Sequence, residues 1–309
     1  MSGPVVVVGD ALLDRDISGA VSRLSPDAPV PVLTEMSTVE RPGGAGLAAM
    51  LLAHDGLDVV LVAATGGDPA GRLVRTMLAE AGVELLEIPY EGPTPEKIRF
   101  ASGSHQLLRM ERGTAEGTLG ARPAELRALL SRAAAVLVSD YGRGVTGLAD
   151  VRRDLATVAG DTPVVWDPHP RGGTPVPGSF LVCPNRQEAA TFCTRHGADP
   201  DGTPDAVAGQ ARLLRGTWRA HAVVVTLGGE GAVLADGQDG ATVVAAPSTH
   251  HGDSCGAGDR FAATATAAFA EGASAAGAVQ AAVTQASQYV SAGGPAGLRP
   301  VTNTVEATA

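Results

Sequence analysis

Short apolar runs, most of them β-branched, recur along this chain at 5–8 (VVVV), 59–63 (VVLVA), 135–139 (AVLVS), 164–166 (VVW), 180–182 (FLV) and 222–226 (AVVVT), each soon followed by Gly, Pro, Asp or Asn. Runs without polar alternation have no side to turn to water, so they predict strands buried on both faces. Helix-like segments separate them, at 45–53, 70–81, 123–133, 148–159, 186–195 and 204–215. That rhythm predicts an α/β fold: a three-layer α/β/α sandwich with a mostly parallel central sheet, spanning residues 1–309 as a single domain. Ligands of such sheets sit at the carboxyl ends of the strands. Asp10, Asp140, Asp167, Asn185 and Thr226 end or follow these runs and are expected to line one crevice.

Two stretches break the rhythm. Residues at about 15–41 and 97–112 alternate polar and apolar side chains, and Pro26, Pro29 and Pro31 forbid a helix in the first. They predict a small separate β-sheet, of use as a lid that shields the crevice from water. A small open sheet leaves edges and an apolar face, which predicts a homodimer formed through the lid. The Gly-, Pro- and Thr-rich tail after Gly293 predicts a short final strand and then an unstructured end.

Composition removes several function classes. A net charge of -10 and only 3 % aromatic residues argue against nucleic acid as a partner. An anion can still be held locally, by glycine nests, helix ends and a few placed cations. Cys183, Cys193 and Cys255 are odd in number and lack zinc spacing, which predicts free thiols in a reducing compartment. No signal peptide precedes VVVVGD, and no apolar run reaches the ~18 residues that span a bilayer. A cytoplasmic protein without a membrane partner is expected.

The richest motif is HHGDSCGAGDRFAATATAAFA, residues 250–270. Gly256, Ala257 and Gly258 are small enough for backbone N–H groups to close around phosphate oxygens, at the positive end of the helix predicted from Phe261 onward. Asp259 then stands beside an anion hole, where a carboxylate is costly unless it takes a proton from a hydroxyl attacking phosphorus. A glycine-rich turn with Asp259 as an ordinary residue of the first helical turn is the structural alternative.

The order of the pieces GDALLD, PGGAG, PNRQE, VVVTLGGEGAVL and DSCGAGDRF resembles the ribokinase-like, phosphofructokinase-B sugar kinases over roughly residues 4–300. Within them, SRLSPDAPVPV, EKIRFASGSHQLLRMERG and VSDYGRG are similar to the heptose-7-phosphate kinases. The resemblance implies ATP and Mg²⁺ as cofactors and transfer of phosphate to the anomeric hydroxyl of a phosphorylated sugar. It also implies the kinase part alone, without the nucleotidylyltransferase domain fused to some relatives.

Residue by residue, the resemblance makes Asp259 the base, with Gly256, Ala257 and Gly258 as the anion hole. Asn185 and Glu188 would organise Mg²⁺, although an Asn cap with a Glu partner three residues on is equally a capping box. Thr226, Gly228 and Gly231 would bind nucleotide, or simply make a hairpin turn, while Asp253 would tie down the cradle loop. Asp14, Gly43 and Gly44 would bind sugar, with Lys97 and Arg109 as cations for its phosphate, Arg99 and Arg143 as further candidates, and Asp140 in the crevice. Three positions depart from the family pattern: Leu47 replaces a sugar-binding Asn, Gln285 stands about where an Asn is common beside the adenine pocket, and Cys255 occupies a common Thr position.

Overall fold

The computed structural model describes residues 3–103, 105–113, 117–197, 204–237, 240–247, 252–297 and 301–304. The chain runs through β1 (Val5–Gly9), the long β2 (Ala11–Leu24) and β3 (Pro31–Gly44), α1 (Ala45–His54), β4 (Val59–Ala63), α2 (Pro69–Glu80) and β5 (Glu84–Glu87). There follow β6 (Tyr90–Glu91), β7 (Glu96–Ser102), β8 (His105–Arg112), β9 (Thr118–Leu119), α3 (Leu126–Ser131), β10 (Ala135–Ser139), α4 (Ala149–Val158) and β11 (Val164–Asp167). Next come β12 (Leu181–Val182), α5 (Arg186–Thr194), α6 (Pro204–Trp218), β13 (Ala222–Thr226), β14 (Gly231–Ala235) and β15 (Thr242–Ala245). Helices α7 (Ala257–Ala270) and α8 (Ala275–Ser291) precede β16 (Val301–Thr304).

The central sheet has nine strands in the order β15-β14-β13-β12-β11-β10-β1-β4-β5. From β13 to β5 neighbouring strands pair in parallel, and β14 and β15 add an antiparallel edge. The predicted two-sided burial follows from the pleat. Val5 and Val7 pack with α1, α2, α7 and α8, whereas Val6 and Val8 pack with α3, α4, α5 and α6. Helices α1, α7 and α8 are rich in Ala and Gly, so their backbones approach the sheet and one another closely. No helix among the described residues is long and apolar enough to cross a membrane.

Parallel pairing brings the carboxyl ends of the strands to one edge. Gly9 lies opposite Ser139, Ser139 opposite Asp167, and Asn185 bridges to Thr226. The predicted crevice is therefore a consequence of register.

The two irregular stretches form a five-stranded sheet, β16-β3-β2-β7-β8. Its strands are longer than predicted, because β2 leaves the core directly at Ala11 and β3 returns to it at Gly44, with Leu12, Leu13 and Arg41 buried at the root. β16 is the short final strand expected, paired antiparallel with β3; the unstructured end predicted beyond it lies outside the described residues. Two expected elements are shorter than the sequence suggested. The strand at 180–182 retains Leu181–Val182, and the helix at 123–133 begins only at Leu126, after Pro123.

Candidate active site

Helix α7 starts at the mouth of the crevice. Gly256 precedes it with φ +75°, a left-handed conformation that glycine adopts freely, and no side chain caps the first turn. A Cβ on Gly256 would lie 2.7 Å from Leu47 Cδ2 and 2.8 Å from the Tyr289 hydroxyl, so this glycine is tightly backed. A Cβ on Gly258 would meet nothing within 4 Å, so the cradle opens on that side. Asp253 Oδ1 accepts from the Cys255 N–H at 2.9 Å within the loop that precedes α7.

Asp259, in the first turn of α7, is 5 % exposed. Burial pushes its carboxyl up to about 7; a hydrogen bond from Tyr141 and the charge of Lys97 act downward, and Asp14 acts upward. The Tyr141 hydroxyl donates to Asp259 Oδ1 at 2.8 Å. A carboxyl poised near neutrality can accept a proton at physiological pH.

The lid supplies the opposite wall. Asp14 on β2 is buried, with Oδ2 3.5 Å from Arg99 Nη2 and with Oδ1 lacking any hydrogen-bond partner. Burial raises its carboxyl against the downward pull of Arg41, Arg99 and Lys97. An orphaned buried carboxylate oxygen needs a donor, and a ligand hydroxyl would supply one. Gly43 makes room for it, since a Cβ there would sit 2.8 Å from Asp14 Oδ2. Gly44, at φ +59°, turns the chain into α1 beneath the Tyr141 ring. Lys97 on β7 places its Nζ 4.6 Å from the centroid of that ring, and burial lowers its pKa. Cys255 Sγ accepts from Arg99 Nη2 at 2.8 Å and, more distantly, from Arg41 Nη2 at 3.8 Å, joining lid to cradle.

On the far side of Asp259 a cleft of about 770 Å³ is lined by Asn185, Arg186, Thr226, Gly228, Gly231, Ser254, Ala257 and Gly258, and by apolar groups of α7 and α8. Asn185 and Glu188 form a complete capping box: Asn185 Oδ1 accepts from the Glu188 N–H and Glu188 Oε2 from the Asn185 N–H, each at 2.9 Å. The structural alternative is thus realised, and it leaves lone pairs on both side chains. Nearby, Asp167 is pushed well above its usual range by burial and by the charges of Glu188, Asp259 and Asp140. The remaining oxygen lone pairs of Asn185 and Glu188 are of the kind a hard divalent cation takes when it is held largely through water and phosphate; no group of three His, Cys, Asp or Glu that could hold a metal occurs among the described residues.

A model of the pfkB family carbohydrate kinase matches residues 3–301. The chain belongs to this family. Among curated relatives it is 50 % identical to the bifunctional protein HldE of Streptomyces coelicolor, over 96 % of this chain and 62 % of that protein. Against the HldE of Caulobacter vibrioides the identity is 40 %, over 89 % of this chain and 57 % of the relative. The chain thus spans about three-fifths of the length of these relatives. Solved structures of similar fold include Arabidopsis thaliana ribokinase complexed with ribose and ATP, at 20 % identity, TM-score 0.71, and 94 % and 93 % of the two chains. Escherichia coli phosphofructokinase-2 in complex with potassium is similar at 19 % identity and TM-score 0.69, over 94 % of this chain and 93 % of that one.

Of the sequence-predicted residues, Asp14 and Lys97 lie near enough to Asp259 to act on its charge, and Asn185, Thr226, Gly228 and Gly231 line the cleft. Asp140, expected on the sugar side, spends its carboxylate on its own loop: Oδ1 accepts from Gly142 N–H, and Oδ2 from the Thr146 hydroxyl and Gly173 N–H. Its burial and these bonds make it a scaffold for that loop. Gln285 accepts from Arg260 at 3.3 Å, while its neighbours Val283, Ala286 and Ser287 line the cleft. Arg109 is half-exposed, at 52 %, and paired with Glu111 at 3.0 Å. Sequence reasoning missed Arg186, Arg41 and Tyr141. The VSDYGRG motif contained the last, but nothing in one dimension ties residue 141 to residue 259.

Proposed function

We propose that the chain phosphorylates the anomeric hydroxyl of D-glycero-D-manno-heptose 7-phosphate, using ATP with Mg²⁺, to give the 1,7-bisphosphate. The observation that carries this reading is Asp259, buried between a cleft of nucleotide size and a lid wall with an unsatisfied sugar-facing carboxylate. Similarity to HldE proteins along almost the whole chain supports the sugar class.

In this reading Asp259 takes the proton of the attacking hydroxyl as its oxygen bonds to the γ-phosphorus. The bond from phosphorus to the β,γ-bridging oxygen breaks and ADP leaves. Backbone N–H groups at Gly256 and Gly258 stabilise charge on the transferring group, whereas the Ala257 N–H donates to the Ser254 carbonyl at 3.1 Å and must leave it to join them. Thr226, Gly228 and Gly231 hold the nucleotide, Asp253 the cradle loop. Asp14, with space left by Gly43 and Gly44, accepts from sugar hydroxyls. Asn185 and Glu188 would hold Mg²⁺, which neutralises phosphate charge when bound.

Recognition of the distal phosphate falls to the cations around Lys97. Burial lowers the proton affinity of both Lys97 and His169; Arg109 and Arg143 act the same way on Lys97 against the stronger opposite pull of Asp14 and Asp259, and Arg171, Lys97 and Arg143 do so on His169. Clustered positive charge in an acidic protein favours a dianion there. Exposed Leu24, Val30, Met36, Leu107 and Leu108 on the lid strands and the turn joining them support a homodimer through this sheet. A cytoplasmic setting fits the free cysteines.

Coupled ADP release over a panel of phosphorylated heptoses, hexoses and pentoses tests the proposal. Preference for heptose 7-phosphate is expected, and preference for an unphosphorylated sugar would overturn it. That second outcome has one observation in its favour: Leu47, where a sugar-binding Asn is usual, is buried against Gly256 and offers no polar group.

A further inference from the structure

We propose that Tyr141 is a positioning residue for the transfer, its phenol O–H fixing Asp259 by Oδ1 so that the acceptor proton goes to Oδ2. The inference rests on Asp259 being the base, and it adds a group for which the motifs of the chain assign no role.

Tyr141 is itself held rigidly. Its backbone N–H donates to Asp10 Oδ2 at 3.0 Å, and Asp10 also accepts from the N–H groups of Arg143 at 2.9 Å and Val145 at 3.1 Å. Asp140 grips the same loop at Gly142, with 2.7 Å, and at Thr146, with 2.8 Å. Two buried carboxylates thus clamp one short loop to the end of β1 and to the loop after β11. Such bonding is more than a surface turn needs, and it delivers one side chain to the base. Gly44 lies under the ring, since a Cβ there would stand 3.2 Å from Tyr141 Cδ2.

The phenol stays a donor throughout. Burial and then the charge of Asp259 raise its own pKa well above the usual value. Its hydrogen bond favours the ionised carboxylate and opposes burial, which pushes Asp259 the other way. The Lys97 ammonium over the ring face adds cation–π attraction and locks the ring plane. The other ionisable groups facing Asp259 are Asp14 from β2, Lys97 from β7, Asp167 from β11 and Tyr289 from α8, while α1 presents Leu47 to the cradle.

Tyr141→Phe keeps the ring and removes the donor. Turnover is expected to fall about tenfold to a hundredfold with KM for ATP unchanged, as a misoriented base loses proton-transfer efficiency. The acidic limb of the kcat/KM profile is expected to move to higher pH, which a packing role would not cause. Site-specific 3-fluorotyrosine at position 141, a stronger donor of nearly the same shape, is expected to move that limb to lower pH. This second variant decides the matter should the first fail to fold. Unmoved limbs in a folded protein would overturn the proposal. Turnover by Asp259→Asn would instead sink the base assignment, so the two failures are distinguishable.

Discussion

The cleft beside α7 and the lid wall, two sides of one acidic protein, are built by opposite means. The cleft uses backbone: glycines at 228, 231, 256 and 258, an uncapped helix start and small apolar side chains. The lid uses ionised side chains linked in a network, with Arg15 bonded to Glu40 and to Glu96, Arg41 to Asp16 at 2.6 Å, and Arg99 to Asp14 and Asp16. Backbone donors survive every substitution but proline and discriminate little, which suits a phosphate chain common to many reactions. A charged network in part-buried surroundings is sensitive to every member, which suits the selective half of the site.

The sharpest way to break this contrast is at the junction. Asp259→Asn is expected to lower turnover by about 10³-fold or more while ATP affinity, measured by calorimetry, stays within a few-fold. The same variant carries a stability signature. The folded pKa of Asp259 is raised from 3.8 to about 7, so the native state binds the extra proton and stability is lost as pH rises through that window. Asp259→Asn is therefore expected to melt higher than the parent protein at pH 8, with the gain fading towards pH 4. For the parent, kcat/KM is expected to rise with pH through about 7 as the base ionises.

On the lid side, Gly43→Ala forces a Cβ against Asp14 and is expected to raise KM for sugar about tenfold or more, with little change for ATP. Lys97→Met tests charge alone: activity on a phosphorylated sugar should drop about tenfold relative to its unphosphorylated counterpart, measured by ADP release. An equal drop on both would remove Lys97 from phosphate recognition. The smallest effect belongs to the cleft. Arg186, paired with Glu230 at 2.8 Å, lines the cleft, and Arg186→Ala is expected to raise KM for ATP only about two- to fivefold, because that pair is largely exposed.

Legibility in the sequence divides along the same line. The strand runs at 5–8 and 222–226 and the glycine cradle at 256–258 are local: apolar β-branched runs and small residues dictate their backbone whatever surrounds them. Lid strands were legible as strands, but their reach into the core at Leu12 and Gly43 was not, since burial depends on partners far along the chain. Asp140 shows what a strand-end position leaves open. Its position was predicted, yet Thr146 and Gly173 absorb its oxygens before any ligand arrives.

What the chain by itself determined is the alternating α/β order, the sheet edge that forms the crevice, and a glycine-rich turn leading to an acidic residue. Those follow from hydrophobic periodicity and from glycine's freedom at positive φ, both properties of neighbouring residues. Tertiary structure alone decided that Asp259 meets Tyr141, 118 residues away, and that Asp14 is left with an unsatisfied oxygen. Proton affinity is set by what surrounds a carboxyl rather than by its position in the chain, and only folding assembles those surroundings.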